Sequence, residues 1–249
     1  LERMGRKERR KLARKLISAL KSNPQLLSSF MDWANSVLGN PKLSAYALGI
    51  LGSVGTPEAQ QMLVDIYQEE AGHLKNQVLN TLTLMKSPLS SDTRDFLRDQ
   101  ADAENSEISK GALFALGSGI ASDANSQASQ EDLRYLENSL ANTSSQQDKM
   151  KYLDALGNAG SESSLATLKK YTADSNSMIR AKAITSLRSI ASEDVGSLYS
   201  KALYDSSARV RKAAWSNIKA SSSQYATLMS DCSAISSDAD IQKECAQLQ

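Results

Sequence analysis

His73, in "EEAGHLKNQ", is the one histidine of this 249-residue chain. A His-based metal site or a general acid–base pair needs partners at fixed spacing, and the sequence supplies none for it. Cys232 and Cys245 are the only cysteines, separated by twelve residues. Together with a single His they cannot complete a four-ligand zinc site. Two readings stay open: a disulfide fastening the C-terminal end in an oxidising compartment, or two inert thiols. The acidic pairs Glu69/Glu70 and Glu193/Asp194 sit at helix ends or first turns, where carboxylates compensate the helix dipole or face solvent. "GSGIASD" (117–123) follows a helical run, whereas a phosphate loop follows a strand. No G-x-S-x-G, Walker A or complete dinucleotide fingerprint occurs. The nearest thing to a ligand clamp is "LDALGNAGSES" (153–163), with Gly157 and Gly160 between an apolar run and a Ser-rich stretch. The expectation is a protein with no catalytic residues, no metal and no cofactor.

The elements around that motif explain it as punctuation. Gly and Pro are sparse (12 and 4) and aromatics make up 5%, a composition that favours helices over sheets. "NSMIRAKAITSLRSIASEDVGSLYSKALYD" (176–205) repeats in "SSARVRKAAWSNIKASSSQYATLMSD" (206–231). Ile179-Arg180 matches Val210-Arg211, Ala183 matches Ala214 and Leu187 matches Ile218, each displaced by 31 residues. Asp174 and Asp205 stand six residues before Arg180 and Arg211. Leu51, Gly52, Gly55 and Leu63 align with Leu156, Gly157, Gly160 and Leu168 at an offset of 105, about three repeats. "GALFALGSGI" (111–120) is a further copy and "VLNTLTLMKSP" (78–88) a degenerate one.

Apolar residues recur at three- and four-residue spacing through each unit, which predicts paired amphipathic helices. The predicted pairs are 8–21 with 24–38, 42–54 with 57–70, 73–86 with 91–102 and 106–119 with 130–142. They continue with 146–158 and 161–173, 176–191 and 193–204, and 207–220 and 222–231, then a short closing helix at 238–248. Thr56 caps a helix that opens on Pro57, and Ser161 is expected to cap the one after Gly160. "IASDANSQASQ" (120–130) is almost devoid of large apolar residues and is expected to be an exposed insertion. The domain plan is a basic N-terminal helix pair (1–40), a repeat array (41–231) and a C-terminal capping helix (232–249). These are expected to form one continuous solenoid domain. Trp33 and Trp215 sit inside helices among Ala and Leu and are expected in the packing.

The net charge of +1 hides strong segregation. Residues 1–21 hold nine Lys/Arg against Glu2 and Glu8, residues 86–148 carry five basic and eleven acidic, and residues 149–219 carry twelve and six. Neighbouring regions of opposite sign suit specific docking more than uniform coating of nucleic acid. In "RMGRKERRKLARKL" (3–16) and beyond, Leu12, Leu16 and Leu20 lie at i, i+4 and i+8 among cations. Such a helix suits an anionic membrane, a nucleic acid or an acidic partner, or simply presents a solvated outer face. No apolar run approaches the eighteen or so residues a membrane span needs. The start at Leu1, without a signal-peptide pattern, suggests a mature or excised fragment. Ser/Asn/Gln richness and the late cysteines lean toward a periplasmic or secreted setting.

"DSNSMIRAKAITSLRSIA" and "DSSARVRKAAWSNI" resemble the HEAT-repeat family pattern of Asp, then Val/Ile-Arg, then Ala-Ala and Leu-Gly. The resemblance implies an all-α, right-handed α-α superhelix of about six to seven antiparallel helix pairs. It implies an Asp–Arg ladder at Asp174, Arg180, Asp205 and Arg211, confined to the C-terminal half because earlier units lack the pair. The second helix of each unit would line a concave face, where Arg94, Arg98, Arg134, Lys169, Lys170 and Lys201 form a broken basic stripe for an acidic segment of a partner protein. A narrower resemblance runs through "LDALGNAGSESSLATLKKY" and "IRAKAITSLRSIA" to the helical domain of the vitellogenin and microsomal triglyceride-transfer group of lipid-transfer proteins. There the helical arch braces a β-sheet lipid cavity, and this chain shows no convincing strands of its own. Three functions follow in order: a non-catalytic protein-interaction scaffold, the helical module of a larger lipid-binding protein, and a HEAT-like enzyme such as a lyase or DNA-repair glycosylase. A stacked array exposes a long surface in place of a buried pocket, which puts the scaffold first.

Overall fold

The computed structural model describes residues 4–69, 72–230 and 238–246. Among these the secondary structure is entirely helical. The helices are α1 (Arg6–Ser22), α2 (Leu26–Val37), α3 (Pro41–Val54), α4 (Pro57–Glu69) and α5 (His73–Leu84). Then come α6 (Ser91–Ala101), α7 (Ser106–Ser122), α8 (Gln127–Asn142), α9 (Gln146–Ala159) and α10 (Leu165–Tyr171). The last are α11 (Ser177–Ser186), α12 (Asp194–Ala202), α13 (Ala208–Ala220), α14 (Ala226–Ser230) and α15 (Ala239–Ala246). No helix among the described residues is long and apolar enough to cross a membrane.

Local sequence sets these boundaries. Asn40 accepts hydrogen bonds from the Lys42 and Leu43 amides just ahead of Pro41, and Asn105 and Asn176 cap α7 and α11 in the same way. Ser90 and Ser145 cap α6 and α9 through the Thr93 and Asp148 amides. At the other end of the motif, Gly55 and Gly160 close α3 and α9 in the left-handed region, at φ +64° and +59°. A side chain there strains the backbone, which is why glycine recurs at this spacing.

Contacts cluster into two compact units, Leu1–Ser129 and Gln130–Gln249. In the first, α1 packs on α3, α3 on α5 and α5 on α7, while α2, α4 and α6 cover α3, α5 and α7. In the second, α9, α11 and α13 stack in turn, with α10 against α11 and α12 against α13. Each unit is thus a stack of helix hairpins, the packing of an α-solenoid. Leu51, Leu63, Ile66, Leu79 and Leu82 fill the core of the first unit, and Leu153, Leu156, Leu168, Leu187 and Ile218 that of the second. Each such side chain contributes about 1.5–3 kcal/mol on leaving water.

Two stretches differ from the expectation. α7 runs on to Ser122 and α8 begins at Gln127, so only residues 123–126 connect them. Ile120 and Ser129 are buried within the stretch expected to be an exposed insertion. Small residues do the packing here, and Ser126 Oγ caps α8 by accepting from the Ser129 amide. Ser161, expected as a cap, makes no side-chain cap bond, and a 3-10 turn at Glu162–Ser164 leads into α10.

Candidate functional site

The stacked hairpins are joined by polar bridges about one repeat long, and the longest series lies in the second unit. Arg180, in the first turn of α11, donates from Nε and Nη2 to the two oxygens of Asp205 at 2.9 and 2.8 Å. Its Nη1 donates to the carbonyls of Asp174 and Ser175 at 2.8 and 3.0 Å. Arg211 repeats the arrangement one hairpin later, with Nη2 on Asp238 at 3.0 Å and Nη1 on the Asp205 and Ser206 carbonyls. Each Asp also receives a backbone amide two residues on: Asn176 for Asp174, Ser207 for Asp205 and Asp240 for Asp238. One fork therefore ties a turn to the next hairpin while closing the turn from which it springs. The hydrogen bond from Arg180 is the main cause holding the Asp205 carboxyl below its usual range. At Asp238 burial acts to raise the carboxyl, but Arg211 and the Ile241 and Asp240 amides together leave it low.

Sequence reasoning did not find Asp238, because it opens α15 directly and has no Arg six residues later. It lies 33 residues after Asp205, and that spacing was the available signal. Nor did it find the flanking bridges. Lys182 meets both oxygens of Asp154 at 2.8 and 2.9 Å, and Trp215 Nε1 donates to Glu244 at 2.7 Å. Asn217 donates to the Ile184 carbonyl and to the Tyr199 hydroxyl at 2.8 and 3.0 Å. In the first unit, buried Gln60 donates to the Gly55 and Pro88 carbonyls and accepts from the Ser90 amide. Thr143 Oγ1 accepts from the Ser145 amide one repeat before the Asp174 turn, so the same turn is built there without a carboxylate.

The six cations expected to form a stripe divide between the units. Arg94 and Arg98 lie on α6 of the first, and Arg134, Lys169, Lys170 and Lys201 lie on α8, α10 and α12 of the second. Arg94 corrects the expectation: it is 4% exposed, with its guanidinium on the Leu89 carbonyl and Ser129 Oγ, so it offers nothing to a partner. Arg98 pairs with Asp95 on its own helix at 3.4 Å. Arg134, Lys169, Lys170 and Lys201 are exposed, with Lys170 Nζ 5.8 Å from the Tyr171 ring centre. Tyr204, close in sequence to Lys201, exposes 61% of its surface.

The glycines of "LDALGNAGSES" face protein. A Cβ on Gly157 would lie 2.9 Å from Cα and Cβ of Ser186 on α11, and one on Gly160 would lie 3.1 Å from the Ser189 carbonyl. Gly52 approaches Thr81 of α5 in the same manner. These positions let neighbouring hairpins close up, and no ligand is needed to explain them.

The described residues contain no cluster of His, Cys, Asp and Glu able to hold a metal. His73 opens α5, its side chain lying outside the described residues, as do Glu70 and Cys232. The Cys232–Cys245 pairing therefore falls outside them too, and Cys245 itself is buried on α15. No curated protein sequence matches the chain. The model of the vitellogenin TPR domain matches residues 39–205, from the turn before α3 to the Asp205 rung of the ladder. That match covers more than half of the sequence, and the chain belongs to the vitellogenin TPR domain family.

Proposed function

We propose that this chain is the non-catalytic helical module of a larger lipid-handling protein, serving as the scaffold against which a lipid-carrying module and partner proteins are held. Membership of the vitellogenin TPR domain family is the observation that carries the reading. The interior supports a bracing role: its polar groups are spent on joining one hairpin to the next, through Gln60, Arg180 and Arg211, in the manner of HEAT-like repeats. The partner surface we assign carries the exposed cations Arg134, Lys169, Lys170 and Lys201, which suit an acidic segment.

Affinity capture with this chain from its native source, scoring proteins and lipids together by mass spectrometry, tests the proposal. The expected capture is a polypeptide carrying acyl lipid, and its yield falls severalfold with Lys169→Glu, Lys170→Glu and Lys201→Glu combined. A lipid-free capture overturns the lipid assignment. Unchanged yield with the triple variant overturns the assigned surface.

A further inference from the structure

Among the described elements α1 is the most strongly charged. Seven of its eight cations come as adjacent pairs four residues apart, Arg6/Lys7, Arg10/Lys11 and Arg14/Lys15, followed by Lys21, while the eighth, Arg9, is half-buried on the other half of the helix. At 100° per residue the seven share one half of the helix, and all seven side chains are exposed. They extend over about 20 Å of helix at 1.5 Å per residue. Glu8 is the one acid of α1, and its carboxylate accepts from the Gly5 amide at 2.9 Å, capping the helix N-terminus. Among the described residues no carboxylate forms an ion pair with these seven. The opposite half of α1, with Leu12, Leu16 and Leu20, faces α2 and α3, and the Arg9 carbonyl accepts from the Tyr46 hydroxyl of α3 at 3.0 Å.

From this arrangement we infer that the outer face of α1 docks peripherally on an anionic phospholipid surface. The apolar half is committed to α2 and α3, so docking works through headgroup contact and not through insertion of the helix. A protein interface is centred on a buried aromatic or aliphatic anchor. The large exposed apolar side chains of the described residues, Leu26, Leu84, Met178 and Tyr204, all lie off α1. The helix has no aromatic ring for stacking on bases. What remains is an exposed helix face of spread charge, which matches a diffuse array of anionic headgroups. Each cation near such a surface contributes about 1 kcal/mol, or roughly fivefold in affinity. The inference goes beyond the lipid-carrying proposal, since docking on headgroups requires no lipid cargo.

Sedimentation with the full chain tests it, using phosphatidylcholine vesicles with and without about 30 mol % phosphatidylserine. Binding is expected to the anionic vesicles alone and to weaken more than tenfold between about 50 and 500 mM salt. Combining Arg10→Gln, Lys11→Gln, Arg14→Gln and Lys15→Gln should weaken it about a hundredfold or more with unchanged circular dichroism. Lys86, Lys110, Arg188 and Arg209, exposed cations away from α1, changed together to Gln form the control, which removes equal charge elsewhere and should leave vesicle binding within about twofold. No sedimentation with anionic vesicles at low salt overturns the inference, as does equal binding to neutral ones. An equal loss in both quadruple variants, or tighter binding to duplex DNA or polyglutamate than to vesicles, overturns it as well. None of these results bears on whether the native protein carries lipid, which the capture experiment reads separately.

Discussion

Arg180→Ala isolates the ladder from the apolar core around it. The substitution removes a two-pronged ionic contact to Asp205 and two hydrogen bonds to the Asp174 and Ser175 carbonyls. The side chains are 14% and 16% exposed, so water compensates only part of the loss. Charged hydrogen bonds contribute about 1.5–3 kcal/mol each, and breaking a buried pair costs about 3–5 kcal/mol. Residual hydration and the regained freedom of Arg lower the sum, which gives about 2–3 kcal/mol for this site. Urea unfolding followed by far-ultraviolet circular dichroism measures it, and thermal unfolding should show a fall in Tm of roughly 5–10 °C. Acid gives an independent check. Because Arg180 lowers the folded pKa of Asp205, the pair's contribution is complete above the unfolded value of about 3.9 and lost as pH falls through the folded one. The difference between wild type and variant should be constant from about pH 5 to 8 and shrink below about pH 4. A loss under about 0.5 kcal/mol at pH 7, or a difference that does not shrink at all in acid, would refute the reasoning, since only the two carbonyl hydrogen bonds outlast protonation of Asp205.

Gly157→Ala places a methyl against the α11 backbone at Ser186 and should cost about 1–3 kcal/mol in urea unfolding. At Gly160, with φ +59°, Asn should be tolerated better than Ala by about 0.5–1 kcal/mol, and the reverse order would argue against the left-handed cap. Gln60→Leu leaves the Gly55 and Pro88 carbonyls and the Ser90 amide without their buried partner, with an expected loss of about 2–4 kcal/mol by the same assay. Burial pushes the Tyr199 hydroxyl up, with the hydrogen bond from Asn217 opposing it. The folded protein should therefore lose stability as pH rises above about 10, the unfolded tyrosine value. Tyrosinate absorbance at 295 nm in Tyr199→Phe should differ from wild type only once unfolding begins.

The repeat was legible because its marker residues serve local geometry. Asp174 and Asp205 each receive an amide two residues on, and Arg180 and Arg211 return to the carbonyls of the same turns. A fixed sequence spacing therefore reports a fixed turn. Gly157 and Gly160 were legible as punctuation for a similar reason: one sits against the next helix and the other ends its own. Arg94 was misjudged because charge alone reads as exposure. Only the three-dimensional neighbours, a free carbonyl at Leu89 and the hydroxyl of Ser129, reveal that its guanidinium is sheltered. The 120–130 stretch misled because Ser and Ala carry no periodic apolar signal, yet close packing prefers them. Gln60 had no signature, since a lone glutamine in a helix resembles surface until its partners 28 and 30 residues away are known. Charge on α1 read correctly as a basic amphipathic helix, but which half of it faces α3 needed the structure.

The central claim, a bracing helical module within a lipid-handling protein, is tested most directly by the lipid content of the protein that carries this chain. Acyl lipid should be quantified by mass spectrometry on that protein purified intact from its source, beside the 249-residue chain purified alone. The account predicts bound acyl lipid on the intact protein and none retained by the chain alone. A lipid-free intact protein, or a chain that retains lipid by itself, would contradict it.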